Sequence, residues 1–171
     1  MGYTTEFEGR FNLDKPLSQE HADYLRAFNG TRRMLRDEAV CEKLDDPVRV
    51  AAGLPVGKDG MYFVGGGGFR GQGRDGSVLD HNGSGTMPGL WCQWVPTEDC
   101  AGIEWDEGEK FCDYTEWLQF IVDHFLRPWG YVLNGEVKWS GEDDEDMGKL
   151  IAENNSVTTM TARVTYEWNR S

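Results

Sequence analysis

Basic side chains are scarce in this sequence of 171 residues, which has 17 Lys and Arg against 30 Asp and Glu, and only 3 His. A chain with a net charge of −13 repels phosphate groups, so direct nucleic-acid binding is not expected. No apolar run approaches the ~20 residues that a membrane helix needs. The first residues resemble no secretion signal. We therefore expect a cytoplasmic protein with no membrane partner.

Cysteine is also scarce, at 4 residues. No two of Cys41, Cys92, Cys100 and Cys112 have the C-x₂₋₄-C spacing that brings two thiolates to one zinc ion. We expect reduced thiols, with Cys92 acting as a small hydrophobic residue in a strand. Neither a metal nor a cofactor is predicted. Weak calcium binding by the acidic run 142–146 is an open alternative.

Apolar periodicity predicts most of the first half of the fold. Alternation over residues 5–13 indicates a half-buried strand. Ser18 is a good N-cap and Gly30 a good C-terminal stop, and apolar residues recur between them at helical spacing. A first helix is therefore expected there. Further strands, the last two joined as a hairpin, are predicted at 61–64, 90–95 and 102–105.

A central helix is predicted to begin at Asp113, in a capping box with Glu116, and to end at Pro128 and Gly130. Its apolar face should pack on the core. A histidine on such a face is more often buried and hydrogen-bonded than catalytic. The face comprises Trp117, Phe120, Ile121, His124 and Phe125.

The pair Asn134-Gly135 is typical of a two-residue type I′ turn, so residues 131–133 and 136–139 are predicted to form a hairpin. Two more strands are expected at 149–152 and 157–167. The order of elements predicts a single α+β domain over residues 1–171. It should have a mainly antiparallel sheet and two to three helices on one face.

The segment Gly65 to Gly89 holds ten Gly in 25 positions and is predicted to be a long loop. Such loops are often functional. Residues 66–71 fit G-x-G-x-x-G, but no helix follows, so a dinucleotide site is not predicted. Within the loop, Asp80 and His81 are weak catalytic candidates for acid–base chemistry.

Clustered arginines and the glycine-rich loop suggest an anion pocket for a nucleotide-like ligand. Guanidinium groups bind phosphate bidentately, and an aromatic ring can stack on a base. Alternatively, the arginines after the first helix pair with Asp37, Glu38 or the acidic second half. The candidate ligand-binding residues are Arg32, Arg33, Arg36, Phe69, Arg70 and Arg74.

Acidity is concentrated in residues 97–171, which have 6 Lys or Arg against 17 Asp or Glu. Seven of the acids lie in residues 98–113. Such a surface attracts basic protein partners, although acidic loops also serve solubility alone. The candidate partner surface is the unbroken run Glu142, Asp143, Asp144, Glu145 and Asp146.

The segment Gly89-Leu90-Trp91-Cys92-Gln93-Trp94-Val95-Pro96 is the most specific of several that are familiar from other proteins. Together these segments resemble a family of small bacteriophage, prophage and bacterial proteins of unknown function. Nearly the whole chain takes part in the resemblance, which implies a phage-type accessory protein and brings no catalytic residue with it. The other segments are Gly2 to Gly9, Thr31 to Met34, Glu109 to Phe111, Leu133 to Val137 and Trp139 to Asp143.

The leading hypothesis is a non-enzymatic accessory protein that binds a host or defence component in the cytosol of the host cell. It would act through the acidic surface or through the arginine pocket. One alternative is a small hydrolase or nucleotide-modifying enzyme centred on the glycine-rich loop. Another is a virion-associated structural protein.

Overall fold

The computed structural model of the chain describes residues 3–66 and 73–170. Two long helical segments flank shorter ones, and a 3₁₀ turn lies at Lys58–Gly60 and a π-helical turn at Val122–Leu126. The helices are α1 (Gln19–Asn29), α2 (Glu38–Cys41), α3 (Pro47–Ala51), α4 (Tyr114–Ile121) and α5 (Arg127–Trp129).

The described strands confirm the predicted α+β class with a mainly antiparallel sheet. They are β1 (Glu6–Glu8), β2 (Phe11–Leu13), β3 (Leu35–Arg36), β4 (Val78–Asp80), β5 (Trp94–Pro96), β6 (Gly102–Trp105), β7 (Leu133–Ser140), β8 (Met147–Glu153) and β9 (Ser156–Thr161).

Seven of these strands form the main sheet, in the order β5-β6-β2-β7-β8-β9, with β1 pairing farther along β7. The single strand predicted over residues 5–13 is interrupted at Gly9, which has φ +107°. A Cβ at Gly9 would lie 3.3 Å from the carbonyl oxygen of Glu136, so glycine allows the close approach of these strands. Phe11 and Leu13 are buried as the alternation predicted.

The main core lies between the sheet and the two long helical segments, and aromatic rings dominate it. Trp94 and Trp117 are fully buried, at 1% and 0% exposure. Phe7 makes edge contacts with Trp94, Phe111 and Tyr114, at centroid distances of 5.3, 5.8 and 5.0 Å. These contacts hold β1 against β5 and against the segment that leads into α4.

Helix α1 has the predicted ends. The backbone N–H of His21 donates to Ser18 Oγ at 3.3 Å, and the N–H of Gly30 donates to the Arg26 carbonyl at 3.1 Å. Residues Ala22, Leu25 and Phe28 are buried at the expected helical spacing.

The predicted capping box at the start of α4 is wrong. Asp113 adopts a left-handed conformation with φ +55°, and its side chain makes no capping hydrogen bond. The helix continues into the π-helical turn, which buries Phe125 and Leu126 and leaves His124 half-buried. Gly130, at φ +86°, ends this helical segment as predicted.

The predicted hairpin at Asn134-Gly135 is also wrong, because β7 runs through both residues. Gly135 pairs with Phe11 on one side and Ala152 on the other. A Cβ there would lie 3.3 Å from the Phe11 Cα, so this glycine serves close strand approach rather than a turn. The hairpin turn with two positive φ angles instead joins β8 to β9, at Asn154 (+47°) and Asn155 (+70°).

The region between α1 and β5 forms a small lobe with its own sheet. β3 pairs with β4, so the segment predicted as a loop over residues 65–89 contains a strand. The strand predicted at 61–64 is not formed. Its Phe63 is instead buried in a second cluster with Cys41 and Val56.

The strand predicted over residues 157–167 stops at Thr161, the end of β9. The Ala162 N–H makes one further ladder bond, to the carbonyl of Met147 at 2.8 Å, where β8 begins. Among the described residues, β8 therefore offers no backbone to pair with residues 163–170. All residues from 162 to 170 are exposed.

The four cysteines are free thiols, as expected. Cys92 is completely buried, and burial raises the pKa of its thiol to about 12. It is therefore a packing residue. None of the helices in the described ranges is long and apolar enough to cross a membrane.

Candidate functional site

The arginines after α1 and the glycine-rich segment are neighbours, as the pocket hypothesis required. Pairing of β3 with β4 brings them together. Arg32 Nε donates to the carbonyl of His81 at 2.9 Å, and its terminal nitrogen donates to Asn82 Oδ1 at 3.1 Å. Arg32 thus ties the two segments together. Phe69 and Arg70 lie outside the described residues.

Arg33 faces the interior and is only 2% exposed. Its guanidinium lies 4.4 Å from the ring centre of Phe28 and donates to the carbonyl of Phe63. Burial lowers the pKa of Arg33 to about 10. Within the described ranges, its Nε and one terminal nitrogen have no hydrogen-bond partner. The side chain is therefore part of the lobe's interior and is not presented to a ligand in solvent.

Arg36 is buried in the same way, at 1% exposure. Its guanidinium lies 4.6 Å from the ring centre of Phe63 and donates to Asp75 at 3.0 Å and Ser77 Oγ at 2.7 Å. Pairing within the chain was the alternative to ligand binding. The observed partner is Asp75, however, and not the expected Asp37, Glu38 or acidic second half.

Arg74 is exposed and lines a polar cavity of about 340 Å³ with Asp80 and His81. The two catalytic candidates bond to Asn82 rather than to each other. Asp80 accepts from the Asn82 N–H at 2.9 Å, and His81 Nδ1 lies 3.4 Å from Asn82 Oδ1. Among the residues that the structure describes, His81 therefore has no carboxylate partner that would orient it as a general base.

The acidic turn, residues 142–146 between β7 and β8, is held in place by the start of the chain. The hydroxyl of Tyr3 donates to Asp146 at 2.6 Å and accepts from the Asp143 N–H at 3.2 Å. The Thr4 N–H donates to Glu142 at 2.7 Å. The turn is therefore fixed in position while the side chains of residues 142–145 remain exposed.

The other acidic stretch, 98–113, is divided between the two ends of the sheet. Asp99 lies in the β5–β6 turn, where it accepts from Thr97 Oγ1 at 2.5 Å and from Arg10 at 3.3 Å. Hydrogen bonds from Thr97, Ala101 and Arg10 lower its pKa to about 2. Asp99 thus has partners in its own loop, which favours a structural role.

Residues 106–109 lie at the opposite end of the sheet, which is also the end of the acidic turn. β6 runs toward β1, where Trp105 packs against Phe7 at 5.4 Å. The same end holds Trp139, whose indole N–H donates to Asp146 at 3.3 Å. We call residues 106–109 and 142–146 together the acidic end.

A cavity of about 530 Å³ opens beside residues 106–109, and one of its walls is the half-buried Trp91. Asp106 and Glu109 are exposed at its mouth. Asn29 donates to Asp106 at 2.9 Å, and Gln93 donates to the Glu109 carbonyl at 2.7 Å. In the described ranges neither carboxylate forms an ion pair. A cavity lined by an indole side chain and two acidic residues is a chemical match for a Lys or Arg side chain.

The sequence did not indicate this cavity because its walls come from separate parts of the chain. Trp91 and Gln93 belong to the segment directly before β5. Asn29 closes α1, and Asp106 follows β6. The antiparallel pairing of β5 with β6 brings Gln93 beside Asp106. Asn29 joins them through its hydrogen bonds to the Cys92 carbonyl and to Asp106. The sequence feature that pointed to this region was the acidic stretch 98–113.

Comparison with protein-family models, curated proteins and solved structures finds no match to this chain. In the described part of the chain, no three His, Cys, Asp or Glu side chains are grouped as ligands of a metal ion.

Proposed function

We propose that the protein acts by binding a basic surface of another protein through its acidic end. The cavity beside Trp91 would receive a Lys or Arg side chain of the partner. The partner class is a host or defence component, such as a protein that uses the same basic surface to bind nucleic acid. The family resemblance favours a phage-type accessory protein that acts in the cytosol of the host.

The observation that carries this proposal is the combination of Trp91, Asp106 and Glu109 around one cavity. An acidic loop alone would serve solubility equally well. Here an aromatic wall adds a cation–π partner, worth about 0.5–2 kcal/mol for a bound ammonium or guanidinium group. The fixed acidic turn supplies the long-range field that speeds encounter with a basic surface.

Titration of the protein with a Lys- and Arg-rich peptide, followed by NMR, tests the proposal. The indole N–H of Trp91 and the amides of residues 106–109 and 143–145 should shift on binding. A neutral peptide of equal length should leave them unchanged. Shifts confined to the arginine-containing lobe, or none at all, would contradict the proposal.

Charge variants separate the two parts of the surface. Glu142→Gln, Asp143→Asn, Asp144→Asn and Glu145→Gln together should slow association and reduce its salt dependence, because they remove four negative charges from the surface. The amide oxygen at 142 can still accept from the Thr4 N–H, and Asp146 keeps its bonds to Tyr3 and Trp139. Trp91→Ala should mainly speed dissociation. Four exposed acids located elsewhere provide a control of equal charge, which should have a smaller effect: Glu20, Glu42, Asp45 and Glu153.

A further inference from the structure

The segment 162–170 carries an apolar stripe that nothing in the described part of the chain covers. Val164 is 41% exposed, Tyr166 is 87% exposed and Trp168 is 98% exposed. A contiguous exposed stripe of this kind marks an interaction site. Polar and apolar residues alternate strictly along it, in the pattern of a strand. The apolar positions are Met160, Ala162, Val164, Tyr166 and Trp168.

The backbone of this segment directly continues an edge strand. β9 pairs with β8 on one side, and its other side has no strand partner among the described residues. An open strand edge offers its N–H and C=O groups to a further strand. Residues 163–170 follow the last ladder bond of Ala162 and are exposed, so a second chain can approach their backbone from either side.

We propose that residues 160–170 pair with the same residues of a second copy of this chain as an antiparallel two-stranded ribbon. Its two-fold axis passes through Thr165. Arg163 then faces Glu167 of the second copy, and Val164 faces Tyr166 of the second copy. Because the interface is isologous, each of these pairs occurs twice.

Charge complementarity selects this register. Opposite charges and pairs of aromatic with β-branched residues stabilise directly opposed positions of an antiparallel ribbon. An axis through Val164 would place Arg163 opposite Thr165, and an axis through Tyr166 would place it opposite Asn169. Either alternative keeps apolar residues together but loses both Arg–Glu pairs.

Local charge and area also fit a dimer. Residues 162–170 contain two basic residues, Arg163 and Arg170, and one acidic residue, Glu167, although the second half of the chain as a whole is acidic. Two copies can therefore meet here without the mutual repulsion of acidic surfaces. Tyr and Trp bury about 150–250 Å² each, so the four aromatic side chains supply roughly half of a standard interface of ~1,600 Å².

Charge reversal tests both the dimer and its register. Arg163→Glu and Glu167→Arg should each weaken self-association about tenfold or more, because each places like charges opposite one another twice. The double variant R163E/E167R should dimerise like the wild type. An equimolar mixture of the two single variants should form heterodimers, since their charges are complementary. Sedimentation equilibrium and native mass spectrometry measure the self-association of the two single variants, the double variant and the mixture.

Several results would overturn the proposal. One is a wild-type protein that stays monomeric up to about 1 mM. Another is a dimer that both single variants leave unchanged, which would place the interface elsewhere. A third is failure of the mixture to restore association, which would exclude this register. The urea midpoints of the single variants check that folding is intact. Binding of the basic peptide is measured separately, so the two proposals can fail independently.

Discussion

The guanidinium of Arg36 and the carboxylate of Asp75 form an ion pair of 3.0 Å across the small sheet of the lobe. The Arg36 side chain is fully buried there, whereas that of Asp75 is 28% exposed. Ser77 donates to Asp75 through its backbone N–H at 2.8 Å and also through its hydroxyl. The second cluster thus packs against a buried charge, on Arg36, whose counter-ion is this carboxylate.

Removal of the carboxylate should destabilise the protein. Asp75→Asn leaves the Arg36 charge buried without its counter-ion, and we expect a loss of about 2–3 kcal/mol in the free energy of unfolding at neutral pH. Urea denaturation measures this loss of unfolding free energy. Asp144→Asn, in the exposed acidic turn, is the matched control and should change stability by less than about 0.5 kcal/mol.

The same pair predicts a pH dependence. Partial burial works to raise the pKa of Asp75, but hydrogen bonds from Ser77 and Arg36 outweigh it and hold the pKa below its ordinary value of 3.8. Its stabilisation is therefore present above that ordinary value and is lost as the pH falls through the lowered one. The difference between the wild type and Asp75→Asn should narrow over this acidic range. A constant difference would contradict this assignment.

Gly60 is a second point at which the lobe should be sensitive. Its φ is +70°, and a Cβ there would lie 2.8 Å from the Arg36 Cβ and 3.2 Å from Cys41 Sγ. Gly60→Ala should therefore cost about 2–4 kcal/mol. Gly53 has a similar φ of +75°, and a Cβ there would have no atom of the described residues within 4 Å, so Gly53→Ala should cost only about 1 kcal/mol. Equal losses in thermal or urea unfolding would show that crowding by Arg36 has no effect.

Substitutions in the turn between β8 and β9 separate the contributions of backbone conformation and side-chain hydrogen bonds to stability. Asn155 is 7% exposed, accepts from the Leu133 N–H at 2.7 Å and donates to the Tyr131 carbonyl at 2.9 Å. Asn155→Gly keeps the positive φ but loses both bonds, so we expect a loss of about 2–3 kcal/mol. Asn154→Gly should be close to neutral, because the exposed Asn154 provides only the turn conformation. Similar urea midpoints for the two variants would contradict this view.

Histidine burial predicts a further loss of stability in mild acid. Burial lowers the pKa of His124 below its ordinary value of 6.5, and its Nδ1 lies 2.9 Å from the Tyr62 hydroxyl. Burial also lowers the pKa of His21. As the pH falls, the unfolded chain therefore binds protons at these histidines before the folded protein does. The free energy of unfolding should fall as the pH drops through the ordinary pKa of 6.5 toward the lowered pKa values. His124→Gln should flatten part of this slope. NMR titration of the imidazole signals checks the direction of both shifts.

Local chemistry predicted the elements whose residues interact with near neighbours in sequence. Ser18, Gly30 and Gly130 were correctly assigned because capping depends on a few adjacent residues. Asn134-Gly135 was misassigned because the same dipeptide suits a tight turn and a crowded strand. Its actual role depends on Phe11 and Ala152, which no local pattern identifies.

The site was predicted only in part for the same reason. The sequence predicted that the arginines lie near the glycine-rich segment, because both residue types are suited to an anion pocket. Which arginines face the interior depended on Phe28 and Phe63, and a buried guanidinium stacked on a ring has no sequence signature. Residues 106–109 lie at the same end of the sheet as residues 142–146, whereas Asp99 lies at the other end. The acidic stretch 98–113 is divided in this way because β6 runs from one end of the sheet to the other.

Strand β2 lies between β6 and β7 in the main sheet, and Phe11 pairs with both Ile103 and Gly135. On the ribosome, β2 is made before β6 and β7, so it has neither neighbour until those later segments have emerged. Contacts so distant in sequence slow the search for the native topology. During that interval α1 and the strands before it remain exposed to chaperones and proteases.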